Sequence, residues 1–503
     1  MEKQLKIYYT SDTHGFLFPT SYLNREDTPM GLFRVIENFK KDGNTLVLDG
    51  GDTTQGSPLT QYIANHPVQN NPIAMTLNAG GYDYITLGNH DFNHGHDYLA
   101  SYLEQLNAVC LCANVKDTTG RAKIQPTAVR VMENGLRVGI TGIVTDHVKV
   151  WERAEHLANI EISDPFQAAE KALAELAPIC DVTVCIYHGG FECDLDTGEL
   201  LSESSENVGY RICKELSYDL LLTAHQHLPI EGKDVLGTYV VQPPASATRY
   251  LSLDICHSEE GVRVQSTLCP AGSTHGAEPY NTLLPLEEAV QLWLDEPVGK
   301  LDRPIPAQSK LEIALHGSAV ADFFNTVQLD SSGADFSCAS LANDPVGLPQ
   351  TVTMRDVVSA YRFPNTLTVL EVDERVLRTA LERCAEYLTL EDGQPQIAQC
   401  FLRPKEEHYN YDFFAGLTYE FDLRQPVGQR VTKLQKDGKP LENRKYTLCM
   451  NNYRASGTGG YDIYRSCPVL GLVNTEVPEL AAAYLQRHET VQVNTESNLS
   501  VVW

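Results

Sequence analysis

No stretch of these 503 residues is apolar for long enough to span a bilayer, since a crossing helix needs about 20 consecutive apolar residues. Positive charge is also scarce: 39 Lys and Arg stand against 66 Asp and Glu, a net charge of -27. Nucleic-acid polymers and anionic membranes would be repelled by most of such a surface, which excludes both as partners. The thirteen cysteines show no zinc-type spacing, and Cys110-Leu111-Cys112 is too tight for a zinc knuckle. In a chain this long they read as reduced core thiols, not as a disulfide framework. Internal repeats and low-complexity tracts are missing too. The amino end runs straight into Leu5-Lys6-Ile7-Tyr8-Tyr9, with no basic and apolar signal segment ahead of it. The chain as given therefore reads as cytoplasmic; a removed leader would make it periplasmic or extracellular.

What is present is an ordinary globular composition, 42% hydrophobic and 21% charged, in a chain too long for one core. The first part alternates apolar strand-like runs with helical spacing. Strands are expected over 5–9, 45–48, 84–87, 136–144, 182–187 and 219–223. Helical periodicity appears at Leu32, Val35, Ile36 and Phe39 and again over 166–176. A helix over 283–294 precedes a stretch punctuated by Pro297, Pro304 and Pro306, which reads as an interdomain connection. Beyond it, helices are expected over 315–329, 354–361 and 374–387, with β-segments over 417–423 and 446–450.

Five short polar motifs each follow one of the early strands. They are Asp12-Thr13-His14, Gly51-Asp52, Gly88-Asn89-His90-Asp91, His188-Gly189-Gly190 and His225-Gln226-His227. In α/β sheets, ligands gather at the carboxyl ends of strands, so all five are placed to share one site. Asp12 with His14, and His225 with His227, stand at alternate positions, which in extended chain face one way. Each motif alone is ordinary turn chemistry. The mix of imidazole and hard oxygen across all five suits a pair of first-row divalent cations, a common device for clamping a phosphoryl group and activating water.

The order Asp-X-His, Gly-Asp, Gly-Asn-His, His-Gly-Gly, His-X-His resembles the calcineurin-like metallophosphoesterases. The run from Gly88 to Gly95 and the presence of a second domain make the chain similar to the two-domain 5'-nucleotidase superfamily. Two segments look most like its 2',3'-cyclic-nucleotide 2'-phosphodiesterase/3'-nucleotidase branch: Phe363-Pro364-Asn365-Thr366-Leu367, and the run from Asn451-Asn452-Tyr453 to Gly459-Gly460. This resemblance implies a four-layer α/β/β/α metallophosphoesterase sandwich over residues 1–280 and a linker helix and Pro-rich connection over 281–310. A smaller α+β substrate-binding domain would follow over 311–503. It further implies one metal on Asp12, His14, Asp52 and His227, and a second on Asp52, Asn89, His188 and His225, with Asp52 as the bridge. Mn, Zn, Fe, Co and Mg all stay open, and so does the oligomeric state. His90 would act on the phosphate with Asn93 beside it, and Asn89 would also touch substrate. Phe363 and Tyr453 would sandwich a nucleobase across a cleft between the domains, Asn365 would bond its edge, and Gly457 and Gly459 would admit close backbone approach. His94, His96 and His147 fall outside the pattern and read as solvated or structural.

Two departures bear on substrate. Many 5'-nucleotidases carry Asp three residues after the motif His, where this chain has Asn93. Many also carry an Asn-Gly-Gly-Gly-Ile-Arg run whose Arg grips phosphate. The region set against it here, Ser332-Gly333-Ala334-Asp335-Phe336-Ser337, has no Arg. Both favour hydrolysis of 2',3'-cyclic nucleotides and 3'-nucleotides by metal-bound hydroxide. The alternatives are a 5'-nucleotidase or UDP-sugar hydrolase, and a catalytically silent nucleotide-binding protein, against which the complete ligand set speaks.

Overall fold

The structure, a computed structural model, describes residues 2–503 apart from 67, 202–204, 277, 364, 404 and 474. The chain divides into two compact units, Met1–Gln291 and Leu292–Trp503. No helix among the described residues is long and apolar enough to cross a membrane.

Two sheets face each other in the first unit. The seven-stranded sheet runs in the order Gly261–Pro270, Arg249–Ser258, Lys3–Thr10, Thr45–Asp49, Tyr84–Ile85, Val109–Leu111, Ile124–Gln125. Its last five strands are mutually parallel. The six-stranded sheet runs Ile230–Val235, Thr238–Gln242, Leu220–Thr223, Val182–His188, Arg137–Val144, Thr127–Val131, with its four middle strands parallel. Alternate residues of the two sheets, among them Leu5, Ile7, Leu46 and Leu48 against Ile140, Val184, Ile186 and Leu222, form one buried core. The opposite faces of these strands are also apolar, because helices cover them. Phe166 and Ala169 of Pro165–Leu176 and Ile212 of Gly209–Glu215 pack on Ile143, Cys185 and Leu221. The result is the expected four-layer sandwich.

The second unit holds a five-stranded sheet in the order Asp412–Ala415, Phe336–Ser340, Tyr446–Asn451, Leu367–Val372, Val469–Val473. A four-stranded sheet contains Thr418–Asp422 and Leu499–Val502. Helices Ala319–Ser332 and Glu374–Ala385 bury Phe324 and Val327, and Leu377 and Leu381, respectively.

Three expectations differ from what forms. The helix expected over 315–329 is two, Lys310–His316 and Ala319–Ser332. Gly317 at φ 85 closes the first, and the Ser318 side chain caps the second by accepting from Ala321 N–H. The Pro-punctuated stretch is not a bare connection. Pro297–Lys300 pairs with Thr351–Thr353, and Ile305 bridges Leu348 within the second unit. The strand expected over 84–87 stops at Ile85, and Thr86 donates its N–H to Asp49 as the chain turns toward Gly88.

Candidate metal centre

The five motifs sit at the carboxyl ends of five parallel strands, three from one sheet and two from the other. Asp12 follows Lys3–Thr10, Asp52 follows Thr45–Asp49, and Asn89 follows Tyr84–Ile85. His188 ends Val182–His188, and His225 follows Leu220–Thr223. The geometry at Asp12-Thr13-His14 and His225-Gln226-His227 differs from the alternating extended chain expected. Asp12, His14, His225 and His227 all lie at positive φ (52, 48, 70 and 58), as does Asp52 at 56. Left-handed turns, not strand alternation, bring these side chains together. Gly88 is required for the same convergence, because a Cβ there would strike Asp52 Oδ1.

The donor atoms of Asp12, His14 and His227 lie within 4.8 Å of one another, and so do those of Asp52, His188 and His225. Asp12, Asp52 and His188 are fully buried, and His14, Asn89 and His225 nearly so. The hydrogen bonds fix which nitrogen of each ring turns toward the cluster. His14 Nδ1 donates to Gln55 O at 2.9 Å and His188 Nδ1 to Gly50 O at 2.7 Å, leaving each Nε2 with its lone pair. His225 Nε2 is bound to the Glu206 carboxylate at 2.8 Å, leaving Nδ1 with the lone pair. These lone pairs meet acceptors. His188 Nε2 faces Asp52 Oδ2 at 3.1 Å and Asn89 Oδ1 at 3.2 Å; His225 Nδ1 faces Asn89 Oδ1 at 2.9 Å; His14 Nε2 faces His227 Nε2 at 3.2 Å, itself 3.2 Å from Asp12 Oδ1. Converging acceptors attract a cation, and neutral imidazole with carboxylate and amide oxygen fits Mn, Fe, Co or Zn well. The charge balance agrees. Burial holds His14 down at about 4, a neutral ligand. Burial also opposes charge on His188, yet Asp52 and Asp12 carry that ring up to about 10, so its Nε2 calls for a proton or a metal.

His90 stands beside this cluster, its ring 5.5 Å from that of His14. Its backbone N–H donates to Asp52 Oδ1 at 2.7 Å, and its Nδ1 lies 2.8 Å from Asn93 Oδ1. Four partners went unread in the sequence. Asp91 accepts the N–H groups of Gly88, Asp52, Thr53 and Thr54 and so ties two of the motif turns together. Its place inside the Gly-Asn-His-Asp motif was an available signal. Glu206 and Glu152 come from loop segments with no periodicity, and Trp151 ends a helix of only four residues. Trp151 stacks on His225 with ring centroids 5.5 Å apart. Of the three histidines set aside, His94 is half-buried, its ring held near 4 by loss of solvent, His96 pairs with Asp117 at 3.0 Å, and His147 occupies the N-cap position of the short helix Val148–Trp151.

In the second unit Phe363 is 41% exposed, which rules it out as a core aromatic; Pro364 next to it lies outside the described residues. Asn365 Nδ2 donates to Tyr361 OH at 3.4 Å. Tyr453 belongs to the short helix Asn452–Ala455, followed by Gly457, Gly459 and Gly460 at φ 86, 80 and 85. The segment set against the phosphate-gripping run is a helix end and strand start, with Asp335 tied to Lys436 at 2.8 Å.

Known proteins share this architecture. The calcineurin-like phosphoesterase model matches residues 5–229, and the 5'-nucleotidase C-terminal domain model matches residues 297–466. A Staphylococcus aureus crystal structure, provisionally described as a 5'-nucleotidase and solved with alpha-ketoglutarate, is 30% identical. It superposes with a TM-score of 0.93, covering 100% of both chains. A 2',3'-cyclic-nucleotide 2'-phosphodiesterase/3'-nucleotidase of Haemophilus influenzae is 25% identical over 99% of this chain and 87% of its own length. The trifunctional nucleotide phosphoesterase protein YfkN of Bacillus subtilis is 24% identical over 99% of this chain, which spans 39% of that longer protein. Fold and matches together define a metal-dependent hydrolase of phosphoesters. The chain belongs to the two-domain 5'-nucleotidase superfamily, a calcineurin-like phosphoesterase domain followed by a 5'-nucleotidase C-terminal domain.

Proposed function

We propose that this protein hydrolyses 2',3'-cyclic nucleotides and 3'-nucleotides with the help of two divalent cations. The observation that carries the reading is the convergence of buried ring lone pairs on carboxylate and amide oxygens at five strand ends. Asp12, His14, Asp52 and His227 would hold one cation, and Asp52, Asn89, His188 and His225 the other, with Asp52 shared. Bound there, the cations supply Lewis acidity toward phosphoryl oxygens and a water nucleophile at neutral pH. They also offset the net charge of -27 for an anionic substrate. His90 is held by Asp52 and Asn93 and keeps Nε2 for the phosphoryl group or its leaving oxygen. Phe363 and Tyr453 take the base by stacking, worth about 1–3 kcal/mol per base, while Asn365 reads its edge and Gly457 and Gly459 let backbone approach. The thirteen free thiols support a reducing, cytoplasmic setting.

The names of relatives from Haemophilus influenzae, Salmonella typhimurium and Yersinia enterocolitica support the cyclic and 3' preference. A 5'-nucleotidase or UDP-sugar hydrolase is the second reading, and the description of the Staphylococcus aureus structure favours the first of the two. One panel separates them: 2',3'-cyclic AMP, 3'-AMP, 5'-AMP, UDP-glucose and bis-p-nitrophenyl phosphate, with Mn and with chelator. The first two should lead in kcat/KM, and chelator should abolish all turnover. Preference for 5'-AMP or UDP-glucose would sink the cyclic reading. Phe363→Ala with Tyr453→Ala should raise KM for nucleotides and leave bis-p-nitrophenyl phosphate, which has no base, unchanged. Equal losses on both would remove the stacking role.

A further inference from the structure

A carboxylate reaches His90 at one remove. His90 Nδ1 lies 2.8 Å from Asn93 Oδ1, and Asn93 Nδ2 donates to Glu152 Oε2 at 2.6 Å. A carboxylate oxygen only accepts, so the NH2 edge of the Asn93 amide must face Glu152. The carbonyl edge must then face His90, and it needs a proton from Nδ1. This series of bonds keeps the proton on Nδ1 and leaves Nε2 as the atom at which His90 exchanges a proton with anything else. An Asp at position 93 would do this alone, because both its oxygens accept. An amide has two edges of opposite character and needs a third group to hold its flip. Glu152 is built for that: its side chain is 6% exposed, it accepts from Arg153 N–H at 2.8 Å, and it lies 2.8 Å from His156 Nδ1. The residue before it, Trp151, is the one stacked on His225.

We propose that Glu152 is a positioning residue for the hydrolysis: through Asn93 it sets the tautomer of His90 and so which ring nitrogen meets the phosphoryl group. The inference rests on the role given to His90 above. In Glu152→Gln the new amide can offer either edge and no longer sets the flip. On 3'-AMP, kcat should fall by about 10- to 100-fold, as for loss of an outer hydrogen-bond partner, with KM and metal content unchanged. Asn93→Asp alone sets two carboxylates against each other and should also lose kcat. In the double variant Asn93→Asp/Glu152→Gln, the new carboxylate accepts from His90 and the new amide donates to it, so kcat should return most of the way. A purely structural Glu152 predicts no such rescue, and a double variant no better than the worse single one overturns the proposal, even if Glu152→Gln disturbs folding. A readout without turnover is the 15N shift of the His90 ring in 15N-histidine protein, identified by its loss in His90→Gln. Nδ1 should be protonated in the wild type and mixed in Glu152→Gln; an unchanged ring in Glu152→Gln also overturns the proposal. Wild-type protein that hydrolyses no phosphoester would instead sink the functional reading and leave the tautomer result to stand or fall by itself.

Discussion

Asp12, His14, Asp52, His225 and His227 all hold left-handed backbone, which costs a non-glycine residue on the order of 1–3 kcal/mol. Such strain persists only where surrounding structure imposes it, and here the imposing bonds are visible. Asp12 accepts His225 N–H through both oxygens, at 3.1 and 3.2 Å, and Asp52 accepts His90 N–H at 2.7 Å. The candidate ligands thus brace one another's turns. Asp52→Asn keeps the size of the side chain but removes the charge that both proposed cations would share. It should cost metal content and lower kcat/KM by more than the roughly 10- to 100-fold expected for an outer partner. Full activity with two metals per chain by elemental analysis would end the shared-carboxylate assignment. His90→Ala is a different case. It should keep its metals and lose kcat by about 10²–10⁴, the range for a positioned acid–base group. Metal content falling in step with activity would make His90 a ligand instead.

At the scale of elements, apolar runs ending in Asp, Asn or His were readable because parallel strands buried on both faces are continuously hydrophobic. That pattern located all five motifs and six of the strands, three in each sheet of the first unit. It could not reveal how Asp12 and His14 converge, since a left-handed turn leaves no periodic trace, nor the partners Glu206 and Glu152. The latter reaches Asn93 across 59 residues of sequence, from a segment whose only local signal is a turn. Arg454 was equally invisible. It sits in the short helix Asn452–Ala455, fully buried, with Nε 2.8 Å from Asp412 Oδ2, Nη2 donating to Tyr409 O at 2.8 Å, and its guanidinium 4.2 Å over Tyr461. It also donates to Thr458 O, so it ties the helix that carries Tyr453 to the glycine-rich turn after it. Arg454→Met leaves Asp412 buried without its cation and should destabilise the second unit by about 3–5 kcal/mol. Adding Asp412→Asn should recover part of that loss. Denaturant midpoints for the single and double variants test this, and a single variant within about 0.5 kcal/mol of wild type would deny Arg454 an anchoring role.

For the molecule as a whole, every candidate ligand lies in Met1–Gln291 and none among the described residues of Leu292–Trp503. A ligand that binds only the folded state stabilises it by RT ln(1 + [L]/Kd), about 4 kcal/mol at a thousand times Kd. Chelation should therefore loosen the two units unequally. Two amides report most directly, because candidate ligands accept from them: His90 N–H on Asp52 and His225 N–H on Asp12. The Gly88, Asp52, Thr53 and Thr54 amides are held by Asp91 and depend on the metals only through the turns they share. In hydrogen exchange, chelator should speed peptides containing 88–93 and 225–227 by up to about 10³-fold. Those spanning Phe336–Ser340 and Tyr446–Asn451, central strands of the other unit, should hold their rates. Restoring Mn should restore protection in the same peptides. Unchanged exchange around His90 and His225 would mean that Asp52 and Asp12, which accept those amides, bind no cation. Equal acceleration in both units would mean that the metals stabilise the chain globally, and a centre confined to the first unit's strand ends would no longer explain them.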